Sequence, residues 1–254
     1  MIKEILARLQ QKHRTIKYPD APPPAMPERF RGRPCIENAK CNLCKKCARN
    51  CPTDAIEVKE NVTIDLGKCL FCTDCTDSCT DHAITFTSDY RLSFNNRQNL
   101  TVSSDQKELL LVTALQDSIR KLFGRSLKLR QVSAGGCNSC EADVNVLNTV
   151  GWDLGRFGIQ FVASPRHADG ILVTGPVTKN MKLALEKTYQ AVPDPKIVIA
   201  VGTCAISGGI FAGHQECCDG LTEILPVDLF IPGCPPHPLT ILDGLLRFLG
   251  KIDS

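Results

Sequence analysis

Fifteen cysteines in a chain of 254 residues are the chemistry to be explained. Thiolates are soft ligands suited to zinc, copper(I) and iron–sulfur centres. In a reducing compartment, where structural disulfides are rare, such a number points to metal. That compartment is read from the N-terminus, MIKEILARLQQKHR, which is charged throughout and has no apolar signal region. The cysteines fall in two blocks, nine before residue 80 and six after residue 136. Within the first, Cys41, Cys44, Cys47 and Cys51 are followed by Cys69, Cys72, Cys75 and Cys79, each 28 residues on. Two copies of one small unit are expected.

The run CNLCKKCARNCP has the spacing Cys-x2-Cys-x2-Cys-x3-Cys-Pro, which suits a cubane 4Fe-4S cluster. Three thiolates at this spacing wrap one cluster while the fourth turns toward a second. Cys41, Cys44, Cys47 and Cys79 are therefore expected to hold one cluster, and Cys51, Cys69, Cys72 and Cys75 another. Zinc is the competing reading of any Cys-x2-Cys pair, but two crossed four-cysteine runs argue against it. Residues 36–86 resemble the two-cluster bacterial ferredoxins. The second run ends in Cys79-Thr80 where that family has Cys-Pro, a change that loosens the turn or alters solvent access without removing the ligand. Cys35 matches no ligand position and reads as a packed free thiol.

The elements that must position these groups follow from periodicity. Ile2, Ile5, Leu6 and Leu9 form one stripe of a short helix, expected to pack on a partner or on the chain's own core. Six prolines between Pro19 and Pro34 make an extended strap that lies on something. Ala55–Val58 and Ala83–Phe86 read as strands. Residues 87–104 read as a polar linker, and 105–123 return to a helical pattern. Beyond that, apolar runs at 127–132, 160–163, 170–174, 196–201 and 227–231 alternate with helical stretches near 138–149, 178–190 and 238–250. This is the texture of a parallel sheet covered on both faces. The expected architecture is thus an α+β ferredoxin-like two-cluster domain followed by a doubly wound, flavodoxin-like α/β domain. The boundaries are 1–34 for helix and strap, 35–86 for the two-cluster domain, 87–126 for linker and helix, and 127–254 for the α/β domain. A fragment starting near residue 105 is expected to fold alone.

Ligands of open α/β sheets gather beyond the carboxyl ends of the strands. The loop SAGGCNSC carries Cys137 and Cys140, Gly202-Thr203-Cys204 follows the fourth run, and Pro232-Gly233-Cys234-Pro235-Pro236 follows the fifth. Four thiolates thus converge on one edge, with Gly135, Gly136, Gly202 and Gly233 permitting tight turns and close approach of backbone amides to a bulky anion. Buried structural cysteines are the bland alternative. CNSC, LVTGPVT, VGTCAISGGIF and IPGCPPHP together resemble the small subunit of membrane-bound, energy-converting nickel-iron hydrogenases (formate hydrogenlyase among them) and its homologue in respiratory complex I, over residues 127–250. The resemblance implies that Cys137, Cys140, Cys204 and Cys234 bind the proximal 4Fe-4S cluster, the third of the chain. The Cys-x2-Cys form of the first motif is that of the hydrogenases, whereas complex I has adjacent cysteines there. Departing from the complex I pattern, His237-Pro238-Leu239 follows the last motif. His237 either caps the next helix or relays protons. Glu141 and Asp143 either complement a helix dipole or handle protons near the cluster. Cys217 and Cys218 are read as non-ligands.

What is missing also shapes the reading. Aromatics make up 6% and the formal charge is +3, so nothing suggests nucleic acid, and no apolar run is long enough to span a bilayer. There is no Gly-x-Gly-x-x-Gly fingerprint for a nicotinamide and no spare cysteine set for nickel. The resemblance implies an electron-transfer subunit, with no catalytic nickel site of its own, that needs a hydrogenase-type large subunit, a further iron–sulfur or donor subunit and integral ion-pumping membrane subunits. It would be cytoplasmic and peripheral on the inner face of the membrane. A quinone-reducing complex I-like subunit, a nickel-free relative and a free ferredoxin-type carrier are the alternatives.

Overall fold

A computed structural model describes residues 2–12, 14–104, 123 and 126–252. Apart from Phe123, the helix expected over 105–123 lies outside the described residues. The first helix, α1 (Ile2–Gln11), carries the expected stripe. Ile2, Ile5, Leu6 and Leu9 are between 52% and 76% exposed, so the stripe does not pack on the chain's own core. The strap does lie on the body. The Ile16 N–H donates to Gly151 O at 2.9 Å, Arg156 donates to Ile16 O and Tyr18 O at 2.7 and 2.6 Å, and the Tyr18 hydroxyl donates to Asp243 at 2.6 Å.

The cysteine-rich module comprises β1 (Pro34–Ile36), α2 (Lys46–Arg49), β2 (Ile56–Val58), β3 (Val62–Asp65), α3 (Asp74–Asp77), β4 (Ile84–Phe86) and β5 (Thr101–Ser103). Each cysteine run passes through a one-turn helix that buries its third cysteine, Cys47 in α2 and Cys75 in α3. The strands of the repeat, β2 and β4, lie in different sheets. β2 pairs antiparallel with β3, which pairs with β5, whereas β4 pairs antiparallel with β1.

The rest forms β6 (Leu127–Ser133), α4 (Ser139–Val146), β7 (Ile159–Phe161), β8 (Gly170–Thr174), α5 (Lys179–Ala191), β9 (Ile197–Val201), α6 (Thr203–Ser207), β10 (Leu229–Ile231) and α7 (Pro238–Phe248). The sheet is parallel, in the order β7-β6-β8-β9-β10, so the order reverses at β6 and β8. Every residue of β8 and β9 is buried, as strands covered on both faces require. Leu129, Leu172 and Ile199 pack in one layer with Val144 of α4 and Leu242, Leu245 and Leu246 of α7. Val173, Val198, Ala200 and Phe230 pack in the other, with Leu185 of α5 and Ile206 of α6. This second layer runs without a break into Ile64, Leu66, Phe94, Leu100 and Val102. The cysteine-rich module is therefore part of the cover of the sheet.

Residues 87–104 correct the expectation of a linker. Leu92, Phe94, Leu100 and Val102 are at most 3% exposed, and β5 completes the module's three-stranded sheet. Phe94 and Phe230 exchange backbone hydrogen bonds of 3.0 and 2.8 Å across the junction. The polar residues interleaved with these few apolar ones masked the pattern. A shared core also argues against an independently folding C-terminal fragment. A fragment starting at residue 105 is expected to bind an apolar dye and aggregate, and a monomeric, dye-silent fragment would show that the cores are separate. Phe94→Ala in the whole chain is expected to cost about 3–5 kcal/mol, measured as a lowered denaturation midpoint.

Candidate metal centres

In the module, the electrostatic neighbours of each thiol reveal how the two runs cross. Burial raises the Cys47 pKa, the Ala48 N–H lowers it, and the charges of Cys41, Cys79 and Cys44 oppose its ionisation. Cys69 is pushed up to about 12 by burial, with the charges of Cys75, Cys51 and Cys72 adding to the penalty. Cys75 is likewise pushed up to about 12 by burial, then by Cys72, Cys51 and Cys47. The charge of Cys79 is thus felt at Cys47 of the first run, and that of Cys47 at Cys75 of the second. Cys51, Cys69, Cys72 and Cys75 line one cavity walled by Ile56, Ile64, Leu70 and Phe86. Main-chain N–H groups of Ala55, Phe71 and Ala83 donate to the sulfurs of Cys51, Cys69 and Cys79 at 3.2, 3.3 and 3.3 Å.

Three strand exits build the other set. Cys137 and Cys140 follow β6, Cys204 sits in α6 directly after β9, and Cys234 follows β10. Burial raises the Cys140 pKa, followed by the charges of Cys204, Glu141, Cys234 and Cys137. Cys204 is pushed up to about 11 by burial, then by Cys234 and Cys137. Exposed Cys137 is different: Ser139, whose hydroxyl lies 3.4 Å from its sulfur, holds its pKa below the ordinary value. Gly202 has φ +90°, and a Cβ there would fall 2.5 Å from Cys140 Sγ, so only glycine lets this turn pass the sulfur. Burial raises Cys234, and the charges of Cys137 and Cys72 add to it. Cys72 belongs to the module, so the two sets are neighbours.

The remaining candidates have other partners. Glu141, 6% exposed, accepts hydrogen bonds on Oε1 from the Ser133 hydroxyl at 2.5 Å and the Thr174 hydroxyl at 2.7 Å. Burial opposes its ionisation, but these bonds outweigh burial and hold its pKa below the usual value. It therefore ties the ends of β6 and β8 together as a carboxylate. Asp143, raised by burial, lines a cavity with Cys234, His237 and strap residues Arg29, Phe30 and Arg31. His237 caps α7, accepting from the Leu239 N–H on Nδ1 at 3.1 Å, and burial lowers its pKa. The rings of Phe30 and Trp152 stand at 5.4 and 6.0 Å from its imidazole. Cys35 is exposed on β1 opposite Thr85, not packed, because the alternation of this strand buries Pro34 and Ile36 instead. Cys217 lies close enough to Cys204 for its charge to be felt there, and the Cys218 N–H donates to Val177 O.

These thiol sets fit iron–sulfur clusters: each offers four soft donors, main-chain amides are directed at the sulfurs of Cys51, Cys69 and Cys79, and apolar walls surround Cys51, Cys69, Cys72 and Cys75. Among the described residues no three His, Cys, Asp or Glu side chains are gathered as a shell for one metal ion. A cubane is larger, and each thiolate binds its own iron. Sequence reasoning missed the hydroxyls of Thr203 and Ser207, which donate to the Cys69 and Gly67 carbonyls of the module, and the Asp65–Arg97 pair that holds Gly67 within it. Those hydroxyls flank Cys204 in Thr203-Cys204-Ala205-Ile206-Ser207, a signal that was available.

Fold and sites define an iron–sulfur electron-transfer protein with a parallel α/β core. Residues 40–83 match the 4Fe-4S dicluster domain, and residues 137–248 match the family described as NADH ubiquinone oxidoreductase, 20 Kd subunit. A probable membrane-bound hydrogenase subunit mbhJ of Pyrococcus furiosus is 41% identical over 153 residues, which cover 60% of this chain and 90% of the relative. Formate hydrogenlyase subunit 7 of Escherichia coli is 42% identical over 145 residues, 56% of each chain. An NADH-quinone oxidoreductase subunit from Citrifermentans bemidjiense is 45% identical over 117 residues, 46% of this chain and 68% of the relative. The chain belongs to the NADH ubiquinone oxidoreductase 20 Kd subunit family, and is an electron-transfer subunit of an oxidoreductase.

A Cβ at residue 202 would displace the Cys140 sulfur, so Gly202→Ala is expected to lower the iron content of the anaerobically purified chain relative to the parent, as read by metal analysis. The raised thiols have a pH consequence for the metal-free chain. Its fold holds Cys69, Cys75 and Cys204 protonated up to about 11 to 12, above the ordinary value of 9.0. Its stability therefore falls as pH rises from that value through the folded pKa range. The thermal midpoint of metal-free protein should drop from pH 8 to 11, and that of loaded protein, whose thiolates are already bound, should not drop in parallel.

Proposed function

We propose that the chain carries three 4Fe-4S clusters and serves as the electron-transfer subunit of a membrane-associated nickel-iron hydrogenase complex. The ligands are Cys41, Cys44, Cys47 and Cys79 for the first, Cys51, Cys69, Cys72 and Cys75 for the second, and Cys137, Cys140, Cys204 and Cys234 for the third. The observation that carries the reading is the gathering of the thiols into sets: Cys51, Cys69, Cys72 and Cys75 line one cavity, and the charges of Cys137 and Cys234 are felt at both Cys140 and Cys204. When bound, the clusters supply single-electron carriers in series between a donor at the module and the active site of a large subunit. The protein's own residues do the rest. Apolar walls exclude water, the amides of Ala55, Phe71 and Ala83 offset sulfur charge, and Glu141 fixes the strand ends that present Cys137 and Cys140.

The strand order supports a flavodoxin-like winding of residues 127–254, with the third site beyond the carboxyl ends of its strands. Among the described residues no helix is long and apolar enough to cross a membrane. Attachment to the cytoplasmic face would come through the membrane subunits of the complex. The second reading is a quinone-reducing or nickel-free assembly of the same architecture. The Cys137-x2-Cys140 spacing favours the hydrogenase, and two Cys-x2-Cys pairs in the large subunit would settle the choice.

Anaerobically purified chain is expected to contain about twelve iron and twelve acid-labile sulfide, as three cubanes require. A reproducible value near eight in folded protein would remove the third site. The isolated chain should neither evolve nor oxidise hydrogen. Within the complex, Cys204→Ser should abolish turnover with every donor, whereas Cys44→Ser should abolish turnover with the physiological donor and spare part of the dye-linked activity. Hydrogen turnover by the single chain would overturn the division of labour.

A further inference from the structure

Electron transfer between the module and the C-terminal site requires a fixed separation of their thiol sets, which non-directional apolar packing does not provide by itself. One buried residue bonds to both sides. Thr203 is 1% exposed and directly precedes Cys204. Its main-chain N–H donates at 2.9 Å to the carbonyl of Gly233, the neighbour of Cys234. Its hydroxyl donates at 2.8 Å to the carbonyl of Cys69, a thiol of the module, and lies 3.2 Å from Gly233 O. A hydroxyl has a single proton to donate. The contact to Cys69 O is the shorter of the two and takes that proton.

The surroundings hold this contact in register. One turn further along α6, the Ser207 hydroxyl donates to Gly67 O at 2.8 Å. Gly67 lets the module's backbone lie against α6, since a Cβ there would come within 2.8 Å of Ile206 Cγ2. The Gly67 N–H donates at 2.8 Å to Asp65, which Arg97 grips with two further bonds of 2.8 and 2.6 Å.

We propose that Thr203 is the positioning residue of this junction: its hydroxyl, bonded to the Cys69 carbonyl, sets the approach of the two thiol sets and provides the bonded route between them. The route is short, from the Cys69 main chain across one hydrogen bond to Thr203 and through one peptide to Cys204. Thr203 contacts no thiolate in this role and acts through the main chain on either side. The proposal rests on the three-cluster reading above.

The test uses the whole chain, purified anaerobically, as Thr203→Val, Thr203→Ala and Thr203→Ser. Valine keeps the shape and loses the hydroxyl, alanine loses both, and serine keeps the hydroxyl. Iron and sulfide content is measured first, then the magnetic resonance spectrum of the fully reduced protein, then reduction of the C-terminal site by electrons delivered through the module. Expected are parental iron content in all three, an altered spin–spin splitting between module and C-terminal site in the valine and alanine variants with slowed reduction of the C-terminal site, and recovery of both in the serine variant. Should valine prevent cluster loading, the alanine and serine variants still make the comparison. Unchanged splitting and rate without the hydroxyl, or a serine variant as impaired as alanine, would overturn the role of Thr203 while leaving the three clusters in place. A parent chain with only the module's iron would overturn the underlying reading instead.

Discussion

A parallel sheet with both faces apolar must be covered twice, and in this protein the module that holds the first eight ligand candidates is part of the second cover. α4 and α7 cover one face with long aliphatic side chains. On the other face α5 contributes one fully buried residue, Leu185, and α6 is only five residues long. Val173, Val198, Ala200 and Phe230 share one continuous buried cluster there with Leu66, Phe94 and Leu100 of the module. The hydrophobic requirement drives the module onto the sheet, and directional bonds choose the register. Phe94 and Phe230 pair their backbones, and the carbonyls of Gly67 and Cys69 receive hydroxyls from α6. The proximity of Cys72 to Cys234 is a by-product of covering the sheet.

The same burial creates the electrostatic problem that metal relieves. Four thiols crowded into a site of low polarisability resist ionisation, first through lost hydration and then through mutual repulsion. That order of causes recurs at Cys69, Cys75, Cys140 and Cys204. Coordination by iron would replace those protons, so metal binding and folding would draw on one free energy. Exposed Cys137, by contrast, is held below the ordinary value by Ser139. Glu141 shows the other solution open to a buried anion, two hydroxyl donors on one carboxylate oxygen.

The C-terminal site obeys the general rule for open α/β sheets, in which the ends of the strands leave room for a ligand. Its positioning is more demanding than a single loop could supply, since its thiols arrive from β6, β9 and β10. Glu141 links the ends of β6 and β8, and Thr203 and Gly233 link those of β9 and β10. His237 completes the frame by capping α7, where its imidazole is turned to the Leu239 amide and packed against Phe30 and Trp152.

Local pattern was enough to read the cysteine runs, the five apolar strands and the helices α4, α5 and α7, though not the short α6, because ligand spacing and hydrophobic periodicity are properties of neighbouring residues. The strands came within about two residues of their observed limits, the usual uncertainty at element ends. Local pattern could not show that residues 87–104 are packed, since β5 is three residues long and gains its meaning only from pairing with β3. Nor could it show that Cys35 faces solvent, which depends on the partner β1 finds, or that Asp65 meets Arg97 across 32 residues. The 28-residue repeat determined which cysteines can form sets. How closely those sets approach was decided by tertiary structure alone, because it depends on long-range burial of one sheet face and on a hydroxyl and a carbonyl that lie 134 residues apart in the chain.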